Sequence, residues 1–180
     1  MAFQTLRALF LHHLKAIHSS EHQLCKSLPK VLEGVSSREV RALMLDYLAQ
    51  AEHHCEQLEL ISHQAQESLA GERCRVMEGF LKQALEFAET RGDERVLDLA
   101  LISVMRQTCH YEKSSYEIAR SLADVLDEPD ALKLLERMLS EAEQMERSFL
   151  ILSEDMMDSA LHEQRSHLEE PRAIAPQGNA

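Results

Sequence analysis

Residues 109–116 read C-H-Y-E-K-S-S-Y, in the middle of a long stretch whose apolar positions otherwise keep the rhythm of an amphipathic helix. Glu112 falls on the apolar side of that helix. An unpaired charge in a protein core is expensive, so the stretch makes sense only if other helices bring polar partners to the same depth. The fold that follows is helical, with a polar layer inside it.

The bulk composition agrees. The chain has 180 residues, enough for one domain with a sizeable core. Its 5 Gly and 4 Pro are sparse, and Leu, Ala, Glu, Gln and Met, all good helix formers, fill the rest. Aromatics make up 4% and Trp is absent, which argues against an aromatic-rich β-sandwich or a base-stacking surface. The expected class is all-α.

The formal net charge of −12 excludes a phosphate-binding surface for nucleic acid and docking to anionic lipid. Cys25, Cys55, Cys74 and Cys109 form no CxxC pair, so neither a disulfide framework nor a zinc knuckle is expected. No window reaches the length of a membrane span. The first twenty residues carry Arg7 and Lys15 without an acid, faintly like a transit peptide. Their apolar rhythm runs on past Glu21, however, so they are read as the start of the first helix and the protein as cytoplasmic.

Period and punctuation place five helices. The first covers about residues 3–33, with Pro29 near its end; Gly34 and Ser36-Ser37 then form the stop and the next cap, Ser36-x-x-Glu39 resembling a capping box. The second runs to about Ser68, the third covers about 73–90 and the fourth about 94–126. Asp127-Glu128-Pro129-Asp130 reads as a tight turn with Pro where the fifth helix, about 130–157, would begin. Residues 1–158 are the expected helical domain, and 159–180, poor in apolar residues and holding two prolines, the expected flexible tail. Two long hairpins joined through a shorter helix suggest a four-helix bundle able to host a site in its core.

Residues equally far from a hairpin turn lie at one depth. On that count Glu112 is level with Glu146, and Glu21 with a position near 49. At about 100° per residue, Glu21, His54, Glu112 and Glu146 all fall on the apolar sides of their helices. Gln50, Cys109 and Glu143 are weaker neighbours of the same layer. Carboxylate oxygen and imidazole nitrogen are the ligand types that iron, manganese and zinc use, and a cation would offset the buried charge.

Four stretches resemble one known family. H-S-S-E-H-Q-L-C-K-S-L-P-K-V (18–31), V-M-E-G-F (76–80), H-Y-E-K-S-S-Y (110–116) and L-L-E-R-M-L-S-E-A-E-Q-M-E (134–146) look like the YciE/YciF-type ferritin-like stress-response proteins of bacteria. The resemblance spans about residues 3–157. It implies a ferritin-like bundle, up-down-down-up with an additional crossover helix, a homodimer and a dinuclear iron or manganese centre. Glu21, His54, Glu112 and Glu146 match family ligand positions, whereas Gln50, Cys109 and Ala142 stand where the family carries acids. The implied centre shrinks accordingly, toward a mononuclear or vestigial site. Three functions are therefore weighed: a stress-associated protein handling metal or oxidant through that site, a non-catalytic bundle acting through protein contacts with its inner acids paired among themselves, or a peroxide- or oxygen-consuming enzyme. No nucleophile elbow or phosphate loop supports a hydrolase.

Overall fold

Four of the helices begin at a residue whose side chain caps them. Thr5 accepts the Ala8 N–H at 3.1 Å, Cys74 Sγ accepts the Met77 N–H at 3.5 Å, and Asp93 accepts those of Arg95 and Val96. In a computed structural model of the chain, the backbone is described for residues 4–169 and side chains for 4–162. The helices among the described residues are α1 (Leu6–Glu33), α2 (Arg38–Ala65), α3 (Arg75–Glu89), α4 (Glu94–Val125) and α5 (Pro129–Glu169). Pro129 does open α5, after Asp127 takes a left-handed φ of 55° in the turn.

Three boundaries differ from expectation. Ser37, rather than Ser36, caps α2 by accepting the Val40 N–H, and the Ser36 and Ser37 N–H groups donate to the buried Asp98 carboxylate at 3.1 and 2.6 Å. That contact ties the α1–α2 turn to the start of α4 and satisfies donors that a helix start leaves orphaned. The second helix stops at Ala65, where Gln66 turns left-handed with φ 53°. The fifth helix runs twelve residues past 157, to Glu169, because no breaker precedes Pro171 and its Glu, Gln and Leu residues sustain helix without an apolar stripe. The rest of the expected tail, 170–180, lies outside the described residues.

The long helices pack in a ring. The hairpin of α1 and α2 and that of α4 and α5 are closed by contacts of α1 with α4 and of α2 with α5, while α3 lies against α1 and α4. Two apolar cores result. One gathers Leu24, Leu28, Met44, Tyr47, Met77, Met105 and Phe149, among others; the second gathers Phe10, Leu14, Ile17, Leu58, Ile61, Leu135 and Met138. Between them lie the buried polar residues Ser20, Glu21, His54, Gln57, Thr108 and Glu112.

The ends of α1 and α3 touch at Gly34. A Cβ there would sit 2.4 Å from the Ala88 carbonyl oxygen and 2.5 Å from its Cα, both backbone atoms that cannot rotate away. Gly34 has φ −88°, a value alanine adopts freely, so a substitution reports the contact alone. Gly34→Ala is expected to destabilise the protein by about 1–3 kcal/mol in urea unfolding. An unchanged midpoint would mean that α3 is free to shift.

Candidate functional site

The polar layer is built from one residue of each stripe. Glu21 occupies the place of an apolar residue between Ile17 and Leu24 on α1, His54 that between Ala51 and Leu58 on α2, and Glu112 that between Cys109 and Tyr116 on α4. All three are essentially inaccessible, at 0%, 1% and 2% exposure. Tyr116 donates a hydrogen bond to Glu21 Oε1. Its hydroxyl lies 3.1 Å from His54 Nδ1, which is also 3.7 Å from Glu21 Oε1, an ion-pair rather than a hydrogen-bond distance. On the other edge of the ring, His54 Nε2 lies 2.9 Å from Glu141 Oε2. Glu141 is held in turn by Arg137 Nε at 2.8 Å.

This arrangement fixes where protons sit. Tyr116 spends its one proton on Glu21, so its oxygen can only accept from His54 Nδ1. Nε2 faces a carboxylate and must donate as well, which makes His54 an imidazolium. Burial by itself would lower the His54 pKa, but Glu21 and Glu141 outweigh it and raise the value overall. For Glu141 burial pushes upward, and Arg137 and His54 together bring the pKa below its ordinary value. The cation is thus flanked by two anions.

Glu112 has no such cation. Tyr47 Oη lies 2.7 Å from its Oε2 and 3.1 Å from Thr108 Oγ1, and Thr108 donates to the Met105 carbonyl at 2.6 Å. If Glu112 is ionised, Tyr47 donates to it and the Tyr47–Thr108 contact lacks a proton. With a proton on Glu112 the chain closes, each hydroxyl passing one hydrogen bond onward to Met105. Burial first, and then the charge of Glu21, push the Glu112 pKa well above the ordinary carboxyl value. Burial also raises the pKa values of Tyr47 and Tyr116, keeping both protonated. Glu21 Oε2 and Glu112 Oε1 are buried and accept no hydrogen bond.

Of the residues expected from sequence, Glu21, His54 and Glu112 enter the layer. Glu146 does not: its side chain is 19% exposed and lies 3.3 Å from both Arg106 and His110. The two flanks of the α5 stripe face different neighbours, and Glu146 is on the α4 side whereas Glu141 reaches His54 of α2. Glu143 pairs with Lys113 at 3.1 Å on the surface. Cys109 is fully buried, and half-buried Gln50 leaves its Nε2 without a partner. Sequence reasoning missed Glu141, Thr108 and Tyr47; the tyrosine looked like one more apolar residue on its stripe. Of the two other tyrosines, Tyr116 reaches a layer carboxylate, while Tyr111 meets Cys74 Sγ at 2.9 Å.

The family described as a domain of unknown function (DUF892) matches residues 5–162. The chain belongs to that family. It is 28% identical over 142 residues to protein YciF of Escherichia coli, spanning 78% of this chain and 86% of that protein. The crystal structure of the E. coli stress protein YciF is similar with a TM-score of 0.83 and 25% identity, covering 87% of this chain and 99% of the other. YcfI from Rhodopseudomonas palustris is similar with a TM-score of 0.77 and 27% identity, covering 81% and 93%.

Proton linkage makes the layer measurable. A carboxyl whose folded pKa is raised stabilises the fold while protonated, and that stability drains as pH rises above the unfolded value of about 4.3 toward the folded one. His54, also raised, contributes fully below its unfolded pKa of about 6.5 and is lost as pH rises through the folded value. Glu141 works oppositely, but only toward acid, as pH falls through its lowered pKa. Metal-free protein should therefore lose stability from mildly acidic toward alkaline pH. Glu112→Gln keeps the shape and a donor toward Tyr47, and is expected to add about 1–3 kcal/mol near pH 8 with little effect near pH 5. Denaturant unfolding at the two pH values checks this; a variant weaker than its parent near pH 8 contradicts it.

Proposed function

We propose that this chain is a stress-associated protein with a ferritin-like four-helix bundle (α1, α2, α4 and α5 running up-down-down-up, α3 as the crossover helix). Its buried layer takes one hard divalent cation, iron or manganese, in metal or oxidant handling. The observation that carries this reading is the pair of partnerless buried acceptors, Glu21 Oε2 and Glu112 Oε1. A buried carboxylate oxygen without a donor is costly unless a cation or a proton meets it. The relationship to the stress protein YciF supports the physiological setting.

The donor set fits one cation rather than two. Both orphan atoms are hard carboxylate oxygens of the kind iron(II) and manganese(II) accept. His54 has both nitrogens committed, and Gln50, Cys109 and Ala142 add no acid. Such a cation would neutralise the two carboxylates and supply redox chemistry toward an oxidant. The chain's own work is positional. Tyr116 and Tyr47 hold one oxygen of each acid, leaving the other exposed to the site. Glu112 must give up its proton before it can ligate, and the His54 imidazolium offsets Glu21 when the site is protonated. Water is excluded by the apolar cores on either side.

A second reading has an observation of its own. Once Glu112 is protonated, the Tyr47–Thr108–Met105 chain is complete and His54 is fully engaged, so the charges of the layer balance without a metal. The protein would then be a metal-free bundle working through contacts. The expected homodimer belongs with either reading; Leu6, Ile118 and Val125, each 44% exposed or more, are the apolar residues it would cover. Among the described residues no helix is long and apolar enough to cross a membrane, and a cytoplasmic setting without nucleic acid remains part of the proposal.

Protein purified from cells supplied with iron and manganese is expected to carry about one equivalent of metal in this layer. Glu21→Ala and Glu112→Ala, checked for helical content, should each lose it, and affinity should fall as pH drops from about 7.5 to 5.5, because the proton competes for Glu112. Metal content unaffected by either substitution, or absent from folded parent protein, favours the second reading.

A further inference from the structure

Outside the layer, the closest grouping of metal-type side chains among the described residues lies on the surface of the α1–α2 hairpin. One ligand atom each from His18, His22 and Glu59 lie within 4.8 Å of one another. His18 and His22 are one turn apart on α1, and Cys55 and Glu59 one turn apart on α2, so two i,i+4 pairs face each other across the hairpin. His18 Nε2 lies 3.1 Å from Glu59 Oε1, and Cys55 Sγ lies 3.4 Å from His22 Nδ1. The imidazoles are tilted by 33° with centroids 4.1 Å apart, and His22 Nδ1 lies 3.0 Å from the His18 carbonyl oxygen.

We propose that His18, His22, Glu59 and Cys55 form a surface site for a borderline-soft divalent cation, with zinc the fitting ion. In a tetrahedral site with bonds of about 2.0–2.3 Å, neighbouring ligand atoms sit about 3.3–3.8 Å apart. The cross-hairpin distance from His18 Nε2 to Glu59 Oε1, 3.1 Å, is already close to that edge length. Two nitrogens, an oxygen and a sulfur are the mixed donor set that zinc accepts, and iron(II) or manganese(II) gains less from the thiolate. Two His separated by one helical turn present ligands to one ion without backbone movement. The His22 Nδ1 contact with the His18 carbonyl orients that ring and leaves Nε2 as its metal-facing nitrogen. Cys55, one turn from Glu59 on α2 and beside the His22 ring, is the fourth donor of the proposed set. His22 and Glu59 are exposed, which gives the ion a path in, and the net charge of −12 draws cations toward the surface.

The site shares no ligand with the buried layer and does not depend on metal binding there. Calorimetric titration with zinc, in a non-thiol reductant so that Cys25 and Cys55 (Sγ atoms 3.9 Å apart) stay reduced, tests it directly. Glu21→Ala/Glu112→Ala protein is expected to keep one zinc equivalent. His18→Ala/His22→Ala should weaken zinc on the order of 100-fold or more. With cobalt as the spectroscopic probe, the parent should show a thiolate-to-cobalt charge-transfer band that Cys55→Ser abolishes. Zinc affinity unchanged in His18→Ala/His22→Ala, or no zinc retained by the folded core-acid variant, overturns the site; a charge-transfer band that survives Cys55→Ser overturns the four-ligand assignment.

Discussion

Glu21 meets Tyr116 and His54 in a place where a leucine would otherwise sit, and the interior is organised around that meeting. A carboxylate with 0% exposure has lost its hydration, and breaking a buried pair by removing one partner costs about 3–5 kcal/mol. The tyrosine hydroxyl and the imidazolium restore part of what water supplied. Because the three groups come from α1, α4 and α2, their contacts run through the centre of the ring. They also set register: a slip of α2 by one residue would swing His54 about 100° away. The apolar cores on either side could tolerate such a slip more easily, since Leu, Ile and Met repack with modest loss.

The layer holds its charges unevenly. Around His54, a cation is enclosed by Glu21 and Glu141, and Arg137 adds a further positive charge at the rim. Around Glu112 the hydrogen-bonding partner is a neutral hydroxyl and the nearby charge of Glu21 is a like one, so a proton is the simplest way to balance the acid. Exchange of that proton for a metal ion is then a single switch between the two functional readings. In the proposed metal-bound form, the same carboxylate that disfavours burial when bare would serve as a ligand. Zinc chemistry at His18, His22, Glu59 and Cys55 is separate from this switch in ligand type and in exposure.

Much of the architecture was legible because helices announce themselves by period and by breaks. Gly34, Gly92 and Pro129 marked the turns, and the inward direction of Glu21, His54 and Glu112 followed from angle counting alone. Glu146 shows the limit of that counting. A residue on either flank of the α5 stripe is equally apolar-facing on a wheel, and only the handedness of packing decides whether it meets Arg106 of α4 or His54 of α2. Tyr47 was hidden for another reason, since a tyrosine on an apolar stripe carries the same pattern whether its hydroxyl is wet or bonded to Glu112. Asp98 left no signal either; its role depends on backbone N–H groups sixty residues away in the chain. The continuation of α5 to Glu169 shows that a helix needs good formers and no breaker, but not an apolar stripe along its whole length.

The proton on Glu112 is the most exposed element of this account. Infrared difference spectroscopy between metal-free parent and Glu112→Gln at neutral pH observes it without perturbing the fold. A carbonyl-stretch band of a protonated carboxyl, present in the parent and missing in the variant, is the predicted result. A parent spectrum showing only the symmetric and antisymmetric bands of an ionised carboxylate would contradict it, and the balance of charge inside the four long helices would have to be drawn differently.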